Sequence, residues 1–305
     1  MYEFLYTYDV EDDEKPPVEA YLNPYALPLA YGVNTELLSY SLDMDESPFE
    51  RMNKIVGHML GDDNAELFVP IFVSDKSYNY ATMTYTSGHE AYTNDSSEPK
   101  GRVTYTITSP VDGNVYCYFP SDYPRESELF VNGERISTYY GNETNRVFDL
   151  GFLKTDEVIR VELRMKDNDK LYIMNADTYF YYIDEDVFTE SMNTLKESGY
   201  SIESFTEDSF SGTINIAAGD ELVFTSIPYD KGWVIRVDGK KAETFEVLGA
   251  TTGFYVTPGS HTLTMEYRPA CFVYGGLISL CGLCAFVTVC IIDYGKRRKR
   301  KKIGG

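Results

Sequence analysis

The sequence predicts a mainly β protein, with two antiparallel β-sandwich domains, two short helices and one C-terminal transmembrane helix. Three observations carry this. Short runs with period-two alternation, split by Gly, Asn, Asp and Pro, fill most of residues 76–170 and the stretch from 200 to 267. Two segments, 47–60 and 184–198, place apolar residues at helical spacing between start and stop signals. Phe272–Ile292, FVYGGLISLCGLCAFVTVCII, runs 21 residues without a charge. The predicted divisions are an N-terminal strand and helix segment over 1–75, a first sandwich over 76–175, a helix with a second sandwich over 176–270, the span at 271–293, and a basic tail at 294–305.

YEFLYTY at 2–8 has strand composition. An acidic, Pro-containing turn follows at Glu11–Pro17, and then Val18–Leu22. Asn23-Pro24 and Leu27-Pro28 disfavour helix, so this stretch is expected to be an irregular surface segment packed by Tyr21, Tyr25 and Leu27. Ser47 and Glu50 form a capping box with Pro48 at the first helical position, and Phe49, Met52, Ile55, Val56, Met59 and Leu60 share one face. Gly61 supplies a left-handed stop.

The first β region contains YATMTYTS, RVTYTITS, NVYCYFP, SELFVNG, RVFDL and EVIRVELRM, with Asn132-Gly133 as a hairpin turn. Its tyrosines, including Tyr116, Tyr118, Tyr123, Tyr139 and Tyr140, suit either sheet packing or stacking on sugar rings. Leu171–Ile183 adds strand-like residues. In the second helix Val187, Phe188, Met192 and Leu195 face inward and Gly199 is the stop. Seven β runs follow, with turns at Gly219-Asp220, Asp238-Gly239 and Pro258-Gly259.

A helix over Phe272–Ile292 matches the roughly 30 Å hydrocarbon core at about 1.5 Å per residue. Seven consecutive cations, Lys296–Lys302, follow it and predict a cytoplasmic tail with the bulk of the chain outside. Setting aside those seven and Asp293 leaves 20 basic against 47 acidic residues over 1–292, a formal −27. Such a charge excludes nucleic acid as a partner. Four of five cysteines, Cys271, Cys281, Cys284 and Cys290, lie at or in the span, so Cys117 alone remains outside and no disulfide forms there. Cys281-x-x-Cys284 reads as small packing residues within lipid. Met1 begins without a basic n-region or apolar h-region, so either the C-terminal anchor alone brings the domain out or, the favoured reading, the chain is the tail of a longer membrane protein.

No nucleophile elbow, phosphate loop, zinc-helix motif or dinucleotide fingerprint occurs. His58, His89 and His261 are far apart. No catalytic residue, metal ligand or cofactor is assigned. One string stands out, TSIPYDKGWVIRVDGKK at 225–241. Tyr229, Asp230, Lys231 and Trp233 are the candidate binding residues: Asp230 and Lys231 can bond hydroxyls or a phosphate, while Tyr229 or Trp233 stacks on a sugar. Alternatively Trp233 fills the core while the two charges fix the loop. Alternation in WVIRV sets Trp233, Ile235 and Val237 on one face and Val234 and Arg236 on the wetter one, which turns Trp233 inward.

That string, with PGSHTLTMEYRP before the span, NPYALPLAYGVN at 23–34 and SPFERMNKIVGHMLGDDNAELF at 47–68, resembles the C-terminal region of the YfhO family of bacterial membrane proteins. Members of that family resemble polytopic glycosyltransferases that take sugar from a polyprenyl-phosphate carrier and add it outside the cell to wall polymers such as teichoic acids. The resemblance implies an extracellular accessory domain and membrane anchor. It implies as partners the lipid bilayer, a cell-wall polymer or polyprenyl-phosphate sugar, and upstream spans encoded separately. With one span in place of many, none of the family's membrane catalytic positions carries over. The alternative is a non-enzymatic, membrane-anchored surface module for carbohydrate binding or adhesion, and a third reading is a shell that stabilises a membrane part.

Overall fold

The computed structural model describes residues 3–8, 18–43, 45–86, 88–97, 99–141, 144–166 and 170–303. The acidic turn expected at Glu11–Pro17 lies outside them. The chain forms two compact units, one from residues 1–26 and 34–195 and the other from 27–33 and 196–305. Among the described residues strands dominate both, every ladder between strands is antiparallel, and three α-helices interrupt them: α1 Pro48–Leu60, α2 Glu185–Glu197 and α3 Ala270–Ile303.

The first unit holds a five-stranded sheet in the order Glu134–Tyr139, Ser127–Val131, Val158–Met165, Arg102–Thr108, Asp75–Asn79. A four-stranded sheet runs Phe148–Leu153, Gly113–Cys117, Phe180–Ile183, Phe68–Ile71, and a three-stranded one Lys170–Met174, His89–Asn94, Ala81–Thr86. Alternate residues of these strands point inward, as in Val158–Met165, where Ile159, Val161, Leu163 and Met165 are buried. The turn at Asn132-Gly133 has φ of 50° and 86°, the left-handed pair a two-residue hairpin requires.

Aromatic rings fill this core. Phe119 packs against Tyr105, Tyr139, Tyr179 and Phe180 at centroid distances of 5.1–5.6 Å. Tyr139 and Tyr140 are fully buried and their hydroxyls are satisfied: Tyr139 accepts from the Phe119 amide at 2.9 Å and donates to the Arg146 carbonyl at 2.7 Å, and Tyr140 donates to the Phe119 carbonyl at 3.0 Å. These two tyrosines are core residues, whereas Tyr123 is 61% exposed. Burial pushes the Cys117 thiol far up, which keeps it neutral and inert. The charged pair Lys76–Glu90 is drawn inward too, and Glu90 also accepts Tyr92 Oη at 2.7 Å.

Helix α1 starts where its capping box predicts. Ser47 Oγ accepts from the Glu50 amide, Glu50 accepts from the Ser47 amide, and Gly61 closes the helix at φ 66°. Its buried stripe is centred on Phe49, Val56 and Met59 and leaves Met52 on the border, 46% exposed, rather than inward. In α2, Met192 and Leu195 are buried while Val187 and Phe188 are half-buried. The helix ends at Glu197, just before Gly199, whose amide donates to the Lys196 carbonyl at 3.0 Å and which then makes an antiparallel bridge to Tyr31.

The second unit is a sandwich of two sheets. One runs Tyr200–Phe205, Ser209–Ile216, Gly259–Tyr267, Trp233–Val237, Lys240–Lys241, and the other Thr244–Val247, Thr251–Tyr255, Leu222–Pro228, Ala30–Val33. Tyr200, Ile214, Ile235, Phe254, Leu263 and Met265 lie in its core. The strand Ala30–Val33 departs from the sequence reading. The Asn23–Leu29 stretch before it is irregular, but Ala30–Val33 itself is buried throughout and pairs Leu222↔Val33 to Thr225↔Ala30. Four small or apolar residues satisfy their backbone at a sheet edge there. Helix α3 contains Tyr274–Ile292, 19 residues of mean hydropathy 2.4 with no part buried in protein. A single helix satisfies its own backbone, so this surface suits lipid.

Candidate functional site

The Tyr229–Trp233 string sits where the second unit's chain crosses between sheets. Leu222–Pro228 belongs to one sheet and Trp233–Val237 to the other, so Tyr229–Gly232 is the connecting loop. Four hydrogen bonds hold it. The Tyr229 amide donates to the Ala250 carbonyl at 2.9 Å, the Gly232 amide to Asp230 Oδ1 at 2.6 Å, the Trp233 amide to the Asp230 carbonyl at 3.1 Å, and the Arg268 amide to the Gly232 carbonyl at 2.8 Å.

Asp230 is thus occupied in shaping the turn. Its carboxylate also raises the Tyr267 phenol pKa, second to desolvation. Gly232 is buried and tightly enclosed: a Cβ there would meet Asp230 Oδ1 and Tyr267 Cε2 at 2.8 Å and Pro269 Cα at 3.2 Å. Lys231 is exposed and, among the described residues, makes no ion pair. Tyr229 is half-buried.

Trp233 is half-buried and packs against the core beside the fully buried Ile235, its ring 5.0 Å from that of Tyr267. Arg236, on the other face, is 37% exposed and lies 3.7 Å from Glu266. The loop therefore brings Tyr229, Asp230, Lys231 and Trp233 together, but offers no acid–base pair. Among the described residues no group of three or more His, Cys, Asp or Glu side chains is placed to hold a metal.

The first unit contains a cleft of about 370 Å³ that sequence reasoning did not find. Three segments meet there, Asp45–Glu50 at the start of α1, Tyr118–Asp122 and Met174–Tyr181, and Asn145 joins them from a fourth. Asp45, Glu46, Glu50, Asp122 and Asp177 make it acidic. Glu46 pairs with Lys54, Glu50 is held by the cap, and Asp122 Oδ2 lies 3.2 Å from His89 Nε2. Tyr181 lines it with its hydroxyl 3.4 Å from Ser47 Oγ, and burial raises both the Tyr181 and the Tyr118 phenol. The lining residues span 45–181 without any local spacing that would mark them in the sequence. Carboxylates beside aromatic rings can accept hydrogen bonds from hydroxyls or hold an amine, and they repel phosphate.

The family model described as "Bacterial membrane protein YfhO" matches residues 2–279. A curated relative, the uncharacterised YfhO of Bacillus subtilis (strain 168), is 31% identical over 64 residues. That match covers 21% of this chain and 7% of the relative, so the chain spans a small part of that protein's length. Among solved structures, a family 35 carbohydrate-binding module from Clostridium thermocellum shares 15% identity at a TM-score of 0.26, covering 37% of this chain and 95% of that one. A GH31 α-xylosidase from Xanthomonas citri shares 9% at 0.18, covering 56% and 12%. Similarities at those TM-scores carry no weight for fold or chemistry.

Proposed function

The chain belongs to the YfhO family of bacterial membrane proteins, and on that premise we propose that it is the accessory region and membrane anchor of a glycosyltransferase-like membrane protein. The sugar comes from a polyprenyl-phosphate carrier, the acceptor is a wall polymer of the teichoic acid type, and the transfer chemistry resides in further membrane spans. The bulk of the chain works outside the cell and the basic tail inside. The family match over residues 2–279 carries this reading. The long apolar helix supports it. The loop residues Tyr229, Asp230, Lys231 and Trp233 are then a contact point rather than a reaction centre.

The test has two arms. Purified full-length chain in vesicles, supplied with a polyprenyl-phosphate sugar, turns over none of it above a no-protein control. Deleting the gene in its own bacterium lowers the sugar content of the wall polymer, and the restored gene recovers it. Turnover by the chain alone, or unchanged wall glycosylation, overturns the proposal. The acidic cleft favours a second reading, the anchored carbohydrate-binding module. That reading expects glycan binding which Tyr181→Ala weakens, with wall glycosylation untouched.

A further inference from the structure

The strand Gly259–Tyr267 leads through Arg268 and Pro269 directly into α3, which starts at Ala270. Whatever pairs with the end of that strand is therefore fixed close to the lipid boundary. Ladder register names those neighbours. Trp233 lies opposite Tyr267 and Val234 opposite Glu266 on one side, and Ser209 lies opposite Glu266 and Phe210 opposite Met265 on the other. The Tyr267 amide donates to the Asp208 carbonyl at 2.8 Å, and the Arg268 amide to the Gly232 carbonyl at 2.8 Å. The turn 206–208 and the loop 229–232 thus flank the last residues before the helix.

The depth of this edge follows from helix geometry. Tyr274 opens the apolar window, four residues after Ala270, or about 6 Å along the axis at 1.5 Å per residue. Headgroups occupy roughly 5–8 Å on each side of the hydrocarbon core. Gly232, whose Cβ position lies 3.2 Å from Pro269 Cα, belongs in that layer.

Composition at the edge suits it. The Trp233 and Tyr267 rings pack 5.0 Å apart at a tilt of 46°, and such amphipathic rings concentrate at membrane interfaces. Phe205, paired with Phe210 beside the turn, is 76% exposed on the unit's outermost strand, a position that core packing does not explain. Lys231 points a cation into solvent, while Arg268 is neutralised by Glu266 at 2.5 Å. Besides Glu266, the acids here are Glu207, Asp208 and Asp230, and Asp230 is engaged in its turn.

We infer that this edge, Phe205 with Trp233, Tyr267 and Lys231, docks on the phospholipid headgroup layer, the rings entering the interface and Lys231 meeting lipid phosphate. The loop that sequence reasoning set aside for a sugar or phosphate is thereby assigned to the bilayer. This rests on the span of α3 and not on any sugar-transfer chemistry.

Trp233 is the single tryptophan of the chain, so its emission reports this site alone. Full-length protein is reconstituted in phosphatidylethanolamine–phosphatidylglycerol vesicles and recovered by flotation. Nitroxide lipids labelled at the headgroup or at mid-chain are then compared as quenchers, with acrylamide as the aqueous one. Headgroup nitroxide is expected to quench most, with acrylamide quenching reduced relative to detergent solution. Phe205→Ser and Lys231→Glu change exposed side chains, and each is expected to weaken headgroup quenching without moving the unfolding midpoint. Protein that floats while Trp233 ignores the headgroup label and stays open to acrylamide overturns the docking edge and leaves the anchor standing. Protein that fails to float overturns both, and neither result bears on wall glycosylation.

Discussion

Gly32→Ala tests the least obvious feature of the fold, the capture of Ala30–Val33 by the second sandwich. A Cβ at Gly32 would lie 2.8 Å from the Asp220 carbonyl oxygen, 2.9 Å from Ser198 Cβ and 3.0 Å from Asp220 Cβ. None of these atoms ends a flexible side chain, so the backbone must move. The strand is also tied by the Gly32 amide to the Ser198 carbonyl at 2.9 Å. Overpacking of this kind costs about 1–3 kcal/mol. With a urea m-value of about 1.5 kcal/mol/M for a unit this size, the midpoint falls by about 1 M. Because Trp233 lies in the second unit, its fluorescence follows that unit's unfolding in detergent-solubilised protein. Gly113→Ala is the control. It lies in the first unit, meets nothing nearer than 3.8 Å, and should leave the tryptophan transition in place. An unchanged transition in Gly32→Ala would refute the insertion of this strand.

Three further outcomes are expected. Trp233→Ala should lower the same unit's stability by on the order of 3 kcal/mol, the low end for a tryptophan because the ring is half-buried, as urea titration followed by circular dichroism will show. Asp230→Ala should cost about 1 kcal/mol through the lost bond to the Gly232 amide, and Lys231→Ala under about 0.5 kcal/mol; equal effects from the two would contradict the loop geometry. Lys154, then Thr155, holds the Asp112 carboxyl down to about 2, and His261, then the Thr262 amide, lowers Asp238. Folded values below the unfolded one mean that this stabilisation is complete above about pH 4 and is lost as pH falls toward 2; Asp112→Asn should flatten the stability profile in that window. Protease added to intact cells should digest residues 1–270 and spare a tag placed after Gly305, and a protected N-terminal region would reverse the orientation.

What the sequence determined by itself lies where physics acts within a few residues or depends on length alone. The capping box of Ser47 and Glu50 and the left-handed turn at Asn132-Gly133 close their bonds within four residues, so residue types suffice to place them. An apolar helix long enough for lipid needs no partner to be recognised. Alternation in WVIRV likewise turned Trp233 and Ile235 toward the core, because a strand's period does not depend on what it faces. Tertiary structure decided the rest. Ala30–Val33 pairs with Leu222–Thr225 across nearly two hundred residues, and nothing local in four small or apolar residues says which edge will accept them. Composition left the tyrosines open to sugar stacking as well as to packing, until the Phe119 backbone supplied partners for the Tyr139 and Tyr140 hydroxyls. The acidic cleft exists only because segments distant in sequence converge. The loop at Tyr229–Gly232 acquired its place beside the membrane helix from a sheet register, Trp233 against Tyr267, which is a property of two strands and of neither sequence alone.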